Sequence, residues 1–142
     1  MKNQYCDNIG KYISQIYRKG RIFIGKDLDK YNIGQGQFMF LLELYVEDGR
    51  SQEELAEVLK IDKGTTARAI KKLEENGFVR REKDDKDKRF NRVYLTQKGK
   101  EVKNNIFFIL NKWDKKMSEQ LDEEERQLLT KLLKKVCSNI NI

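Results

Sequence analysis

Apolar residues recur every three or four positions along almost the whole chain, and at one place that spacing fails. After Gly77, Phe78-Val79-Arg80-Arg81-Glu82 and Asn91-Arg92-Val93-Tyr94-Leu95 read as two short strands. Between them lies Lys83 to Arg89, charged at every position. Helical spacing on both sides of one strand-like interruption predicts a mainly α chain with a small β-hairpin. With 142 residues the chain makes one domain, 1–142, since two sizeable cores would need more.

The helices can be bounded by their end signals. Tyr5, Ile9, Tyr12, Ile13, Ile16, Tyr17, Ile24 and Leu28 mark a long first helix ending near Tyr31-Asn32. After Gly34 and Gly36, Phe38 to Tyr45 is nearly all apolar, the pattern of a helix buried on most sides, and Asp48-Gly49 ends it. Ser51-Gln52-Glu53-Glu54 is a capping box, in which the serine hydroxyl accepts from the Glu54 N–H and the glutamate reaches back. The helix it opens carries Leu55, Val58 and Leu59 on one face. Lys60-Ile61-Asp62 makes a three-residue turn, with Asp62 as N-cap of a helix from Lys63 to Asn76. Thr66, Ile70 and Leu73 turn inward there, and Gly77 is the left-handed terminator. Thr96 caps a further helix with Val102, Ile106, Leu110, Trp113 and Met117 as its apolar series. Asp122, followed by three glutamates, opens the last helix, lined by Leu128, Leu129, Leu132, Leu133 and Val136.

Charge narrows the function. Lys and Arg number 30 against 23 Asp and Glu, for a net +7. The segment Lys60 to Lys103 alone holds fifteen basic and eight acidic residues, so the whole excess lies there. A concentrated basic surface suits a polyphosphate, because Lys and Arg release its condensed counterions. A solvated, solubility-promoting face is the other reading of charge alone. There is no histidine, which excludes Ser-His-Asp and Cys-His catalysis and His-ligated zinc. Asp84, Asp85 and Asp87 lack the glycine and distant glutamate of a calcium loop. Gly34-x-Gly36 follows a helix and has no third glycine, so it is no dinucleotide fingerprint. No cofactor and no enzyme activity are expected. Two cysteines without a CxxC form no disulfide framework. No apolar run approaches the ~20 residues of a membrane span. The start, Met1 to Tyr5, lacks the features of a signal peptide, and a cytoplasmic protein is expected.

A helix, a tight turn, a second helix with a cationic face and a charged hairpin make a winged helix-turn-helix. That lobe spans 36–99, flanked by helices in 1–33 and 100–142. The second helix is thin enough for the major groove of duplex DNA. Lys63 and Thr65 lie in its first turn, where backbone N–H groups favour phosphate. Arg68 can pair bidentately with guanine. Lys71 and Lys72 reach phosphate or are merely solvated. At the hairpin tip, Arg89 can enter a narrow minor groove. Asp87 either holds that guanidinium or is a simple turn residue, while Lys83, Lys86, Lys88 and Arg92 add phosphate contacts. The terminal helices carry more apolar surface than the lobe between them can cover. A twofold interface buries it economically, and a long monomeric bundle is the alternative. A winged-helix module for protein or RNA, with no operator, is the competing function.

Gly64-Thr65-Thr66, Leu73 to Arg81, and above all Asp87-Lys88-Arg89-Phe90-Asn91-Arg92-Val93-Tyr94-Leu95-Thr96-Gln97-Lys98-Gly99 resemble the MarR family of bacterial transcriptional regulators. The last stretch matches that family's wing signature, D-x-R followed by V-x-L-T-x-x-G. The resemblance implies a homodimer, a repressor that binds a pseudo-palindromic operator and is released by a small molecule or by oxidation. It places Gly64 with the recognition-helix residues and gives Asp87 and Arg89 their wing roles. It also implies a ligand pocket between the dimer helices and the lobe, with Tyr12, Tyr17, Phe23, Phe38 and Trp113 as candidate lining or as ordinary core. Some members sense peroxide through an N-terminal-helix cysteine. Cys6 falls several residues early for that role, and an ordinary reduced thiol is the simpler reading of Cys6 and Cys137.

Overall fold

A computed structural model describes residues 7–141, so Tyr5 and Cys6 lie outside the described residues. Helix α1 runs Ile9–Leu28 and ends in a 3-10 turn, Asp29–Tyr31, closed by Asn32 in the left-handed region at φ 58°. Asn8 caps its start by accepting from the Lys11 N–H at 2.9 Å. Then come α2 (Phe38–Val46), α3 (Gln52–Leu59), α4 (Lys63–Glu75), β1 (Val79–Lys83), β2 (Asn91–Leu95), α5 (Gln97–Glu101), α6 (Lys103–Ser118) and α7 (Glu123–Asn139).

The caps fall where the sequence puts them. Ser51 Oγ accepts from the Glu54 N–H at 3.1 Å, and Glu54 accepts from the Ser51 N–H at 3.4 Å. Asp62, Thr96 and Asp122 cap α4, α5 and α7, the last with Glu125 completing a second box. Such caps contribute about 1 kcal/mol each. Gly77 ends α4 at φ 80°, and the chain turns into an antiparallel hairpin with Val79 opposite Leu95 and Lys83 opposite Asn91.

Two details differ from the expected pattern. The buried arc of α3 runs through Leu55, Ala56 and the half-buried Leu59, one position round from the expected face, which leaves Val58 exposed. The single helix expected after Thr96 is broken at Val102, which ends α5 and starts α6 with φ −81° and ψ −7°. Spacing alone conceals the break, because Val102 and Ile106 are both buried. Ile109 is buried as well, while Met117 is exposed.

One core joins Ile24 and Leu28 of α1, Ile33, the inner faces of α2, α3 and α4, the hairpin's Phe78, Val79, Val93 and Leu95, and Val102, Ile106 and Ile109. Helix α1 meets α6 where Gly20 faces the Trp113 indole, close enough that a Cβ would sit 3.1 Å from it. Gly99 fits so tightly under β1 that a Cβ would run into the Phe78 carbonyl. Helix α7 buries none of its residues. No helix among the described residues is long and apolar enough to cross a membrane.

Candidate nucleic-acid interface

The first turn of α4 is organised by its cap. Asp62 Oδ1 accepts from the Thr65 N–H at 2.7 Å and Oδ2 from the Thr65 hydroxyl at 2.7 Å. Those bonds, the backbone one first, hold the Asp62 carboxyl below its ordinary pKa. Thr65 Oγ1 in turn accepts from Arg68 Nη2 at 3.1 Å, which steers the guanidinium along the helix toward its N-terminus. Lys63, Gly64, Thr65, Arg68, Lys71 and Lys72 are all exposed. Gly64 has no packing reason to be glycine: a Cβ there would only touch Arg68 and Asp62 at 3.4 Å. A bare backbone at this turn admits close approach from outside.

The wing is fastened to α4 at its root. Arg81 of β1 makes a two-pronged bond to Glu74, Nε to Oε2 at 3.2 Å and Nη2 to Oε1 at 2.9 Å, and this keeps the Glu74 carboxyl below its usual range. Lys98 Nζ donates to the Asn76 carbonyl at 2.8 Å while lying 4.6 Å from the centre of the Phe78 ring. A cation at the C-terminal end of α4 also complements the helix dipole.

At the tip, Arg89 is clamped by Asp87. Its Nε donates to Oδ1 at 3.0 Å, its Nη2 to Oδ2 at 2.7 Å, and its backbone N–H to Oδ1 at 3.1 Å. The clamp lowers the Asp87 pKa and raises that of Arg89. The Arg89 side chain is nevertheless 84% exposed against 31% for Asp87, so one flank is fixed and the other faces out. Lys83, Lys86 and Lys88 are exposed around it. Phe90, unremarked in the sequence, lies beside Arg89 and is partly exposed.

Arg92 does not join this group. Its Nε donates to Asp84 Oδ2 at 2.7 Å and its Nη1 to the Gly49 carbonyl at 2.9 Å, drawing it back into the base of the wing. Asp84, weighed in the sequence only as a calcium-loop residue, organises the loop at the wing tip. It accepts from the N–H groups of Lys86 and Asp87, an aspartate turn whose signal is a carboxylate two residues ahead of the amide it binds.

The candidate pocket aromatics are not gathered within one chain. Tyr12 donates to Asp7 at 2.6 Å and Tyr17 accepts from Arg21 at 3.0 Å, both on the exposed side of α1. Trp113 and Phe23 do pack together, with ring centres 5.2 Å apart, and Phe38 borders the core. Two surface clefts lie along α7, beside Arg126, Thr130 and Lys134 and beside Lys135 and Val136. Cys137 is an exposed free thiol.

The chain is similar to known transcriptional regulators. The sequence profile of the MarR family matches residues 33–90. The chain is 34% identical over 126 residues to the HTH-type transcriptional regulator BilQ of Clostridium symbiosum, covering 88% of each protein. It is similar in structure to a MarR transcriptional regulator from Methanosarcina mazei, with a TM-score of 0.88 and 48% identity over 92% of this chain and 94% of that one. A MarR family regulator from Listeria monocytogenes, solved with a 26mer DNA, matches at TM-score 0.87 and 30% identity, over 94% of this chain and 89% of that one.

Proposed function

The chain belongs to the MarR family of transcriptional regulators, and from that premise we propose that it is a cytoplasmic repressor whose two copies grip a pseudo-palindromic duplex operator. In each copy α4 enters a major groove through Lys63, Gly64, Thr65 and Arg68, with Lys71 and Lys72 toward phosphate. Arg89 enters the neighbouring minor groove, where a narrow width concentrates negative potential. Lys83, Lys86 and Lys88 flank it on the phosphates. The observation that carries this reading is the clamp at the wing tip: a guanidinium fixed on one side by Asp87 and open on the other is preorganised for a polyanion.

The helices outside the lobe supply the second copy. Ile9, Ile13 and Ile16 of α1 and Leu128, Leu129, Leu132 and Leu133 of α7 are exposed in one chain. Exposed apolar residues repeated along one face of a helix in this way mark an association site. A twofold axis there matches half-sites ~34–36 Å apart. A small-molecule effector would sit between these helices and the lobe, bordered by Tyr12, Tyr17, Phe38 and Trp113, with the second copy closing the site.

The test is a titration at fixed salt against a duplex that the wild-type protein selects from a random pool. Arg89→Ala should weaken binding by about tenfold or more, the scale of a lost guanidinium contact, while Lys26→Ala, on α1, should not. Equal affinities for the two variants overturn the assignment. Selection of structured RNA, or of no nucleic acid, overturns the operator reading.

A further inference from the structure

A continuous path of hydrogen bonds runs from the helix-turn-helix to the wing tip. It starts at the turn between α2 and α3, where the Gly49 carbonyl accepts from Arg92 Nη1 at 2.9 Å. The backbone of β2 is tied to the same turn, Gly49 N–H donating to Val93 O at 3.0 Å and Val93 N–H to Arg50 O at 2.9 Å. Arg92 Nε then donates to Asp84 Oδ2 at 2.7 Å. The other Asp84 oxygen accepts from the Lys86 N–H at 2.8 Å and the Asp87 N–H at 3.3 Å. Two backbone bonds close the loop: Asp84 N–H to Phe90 O at 2.9 Å, and Phe90 N–H to Asp87 O at 3.1 Å. The last link is the Asp87 clamp on Arg89. Along this path the Arg92 side chain is 40% exposed, Asp84 13%, Asp87 31% and Arg89 84%, so the tip guanidinium is the most open member and Asp84 the most covered.

We propose that Arg92 and Asp84 are positioning residues for Arg89, joining the turn ahead of α3 to the wing tip so that the tip and α4 meet DNA in one register. The proposal rests on the reading of Arg89 as a DNA contact. Arg92 therefore serves through its two internal acceptors and not as a phosphate contact. The physical need is plain, since the loop from Lys83 to Arg89 is charged at every residue and has no apolar anchor within it. Left untied, such a loop would be ordered only on binding, and that ordering would lower affinity.

The experiment turns on a sign. Removing an acid beside a polyanion tightens binding by simple electrostatics, and Asp85→Ala, next door and exposed, should do so or leave affinity unchanged. Asp84→Ala removes the same charge, yet should weaken binding by about tenfold to the duplex selected by the wild-type protein. Arg92→Lys should weaken it too, because an ammonium preserves a phosphate contact but does not reproduce a fork spanning Gly49 and Asp84. In an Arg89→Ala background the Asp84→Ala change should cost nothing more, whereas a general folding defect would persist there. Asp84→Ala binding as tightly as Asp85→Ala, or losses that simply add, overturns the proposal. If Arg89→Ala alone binds as the wild type, the wing reading falls and this inference falls with it. If Arg89→Ala weakens binding and Asp84→Ala does not, only this inference falls.

Discussion

In the winged lobe Phe40, Leu41, Leu55, Ile70 and Val93 have no exposed surface, whereas in α7 Leu128, Leu129, Leu132 and Leu133 each leave 43–54% of theirs in water. The contrast occurs even within one helix, since α1 buries Ile24 and Leu28 near its end and exposes Ile9, Ile13 and Ile16 near its start. Both regions are amphipathic at helical spacing, but the lobe has an opposing surface for most of its apolar residues, Val46, Val58 and Phe90 excepted, while α7 buries none of its own. The lobe thus completes its core within one chain. The outer helices carry apolar area whose burial, at about 25 cal/mol per Å², awaits another molecule. On the function proposed above, reading DNA falls to the part whose core is complete within one chain, and assembly to the part whose apolar face is not covered.

The sharpest way to break this contrast is to hollow out the lobe. Ile70→Ala should lower stability by roughly 2–5 kcal/mol, since it empties a site with no exposed surface. A melting midpoint that does not fall, at any protein concentration, would remove the distinction. Leu132→Asp is the counterpart on α7. It should weaken self-association by about a hundredfold in sedimentation while the lobe keeps its helical signal, and an unchanged dimer would refute the assigned interface. A smaller effect separates folding from reading within the lobe. Gly64→Ala should raise stability by about 0.5–1 kcal/mol through helix propensity, yet reduce affinity for DNA by obstructing the exposed first turn of α4. Tighter binding by that variant would show that no backbone approaches there.

The smallest effect tests the start of α7. Hydrogen bonds from Arg126 and then Gln127 hold the Glu123 carboxyl down to about 2. Its pKa is lower folded than unfolded, so its contribution is full above the ordinary carboxylate value near 4.5 and is lost as pH falls toward 2. The stability difference between the wild type and Glu123→Gln should shrink across that acid window. A difference that does not vary with pH would mean the pair contributes nothing, as exposed pairs often do.

Most features that depend on neighbouring residues were legible in the sequence, the Asp84 turn being the local exception, and features that depend on distant ones were not. Ser51 with Glu54, Asp62, Thr96, and Asp122 with Glu125 form their caps within four residues, so composition at those positions sufficed. The Asp87 clamp on Arg89 is equally local. The break at Val102 lies beside a long-range contact, Gly99 against the Phe78 carbonyl, that no periodicity records. Arg92 reads as one more cation in a basic run because its partner, the Gly49 carbonyl, lies on the far side of two helices in sequence. Val58 and Ala56 flank Leu55 and Leu59 on opposite sides of α3, so a modest rotation of the helix exposes one and buries the other, a shift that a short helix's spacing does not resolve.

Gly99, pressed beneath Phe78, makes the hairpin a cantilever: its foundation is poured into the domain and admits no side chain, while its free end is solvent-facing loop. On the function proposed above, changes at the exposed Asp85, Lys86 and Lys88 would retune which promoters are recognised without reopening the foundation, and binding preference would be free to diverge while the architecture stays put.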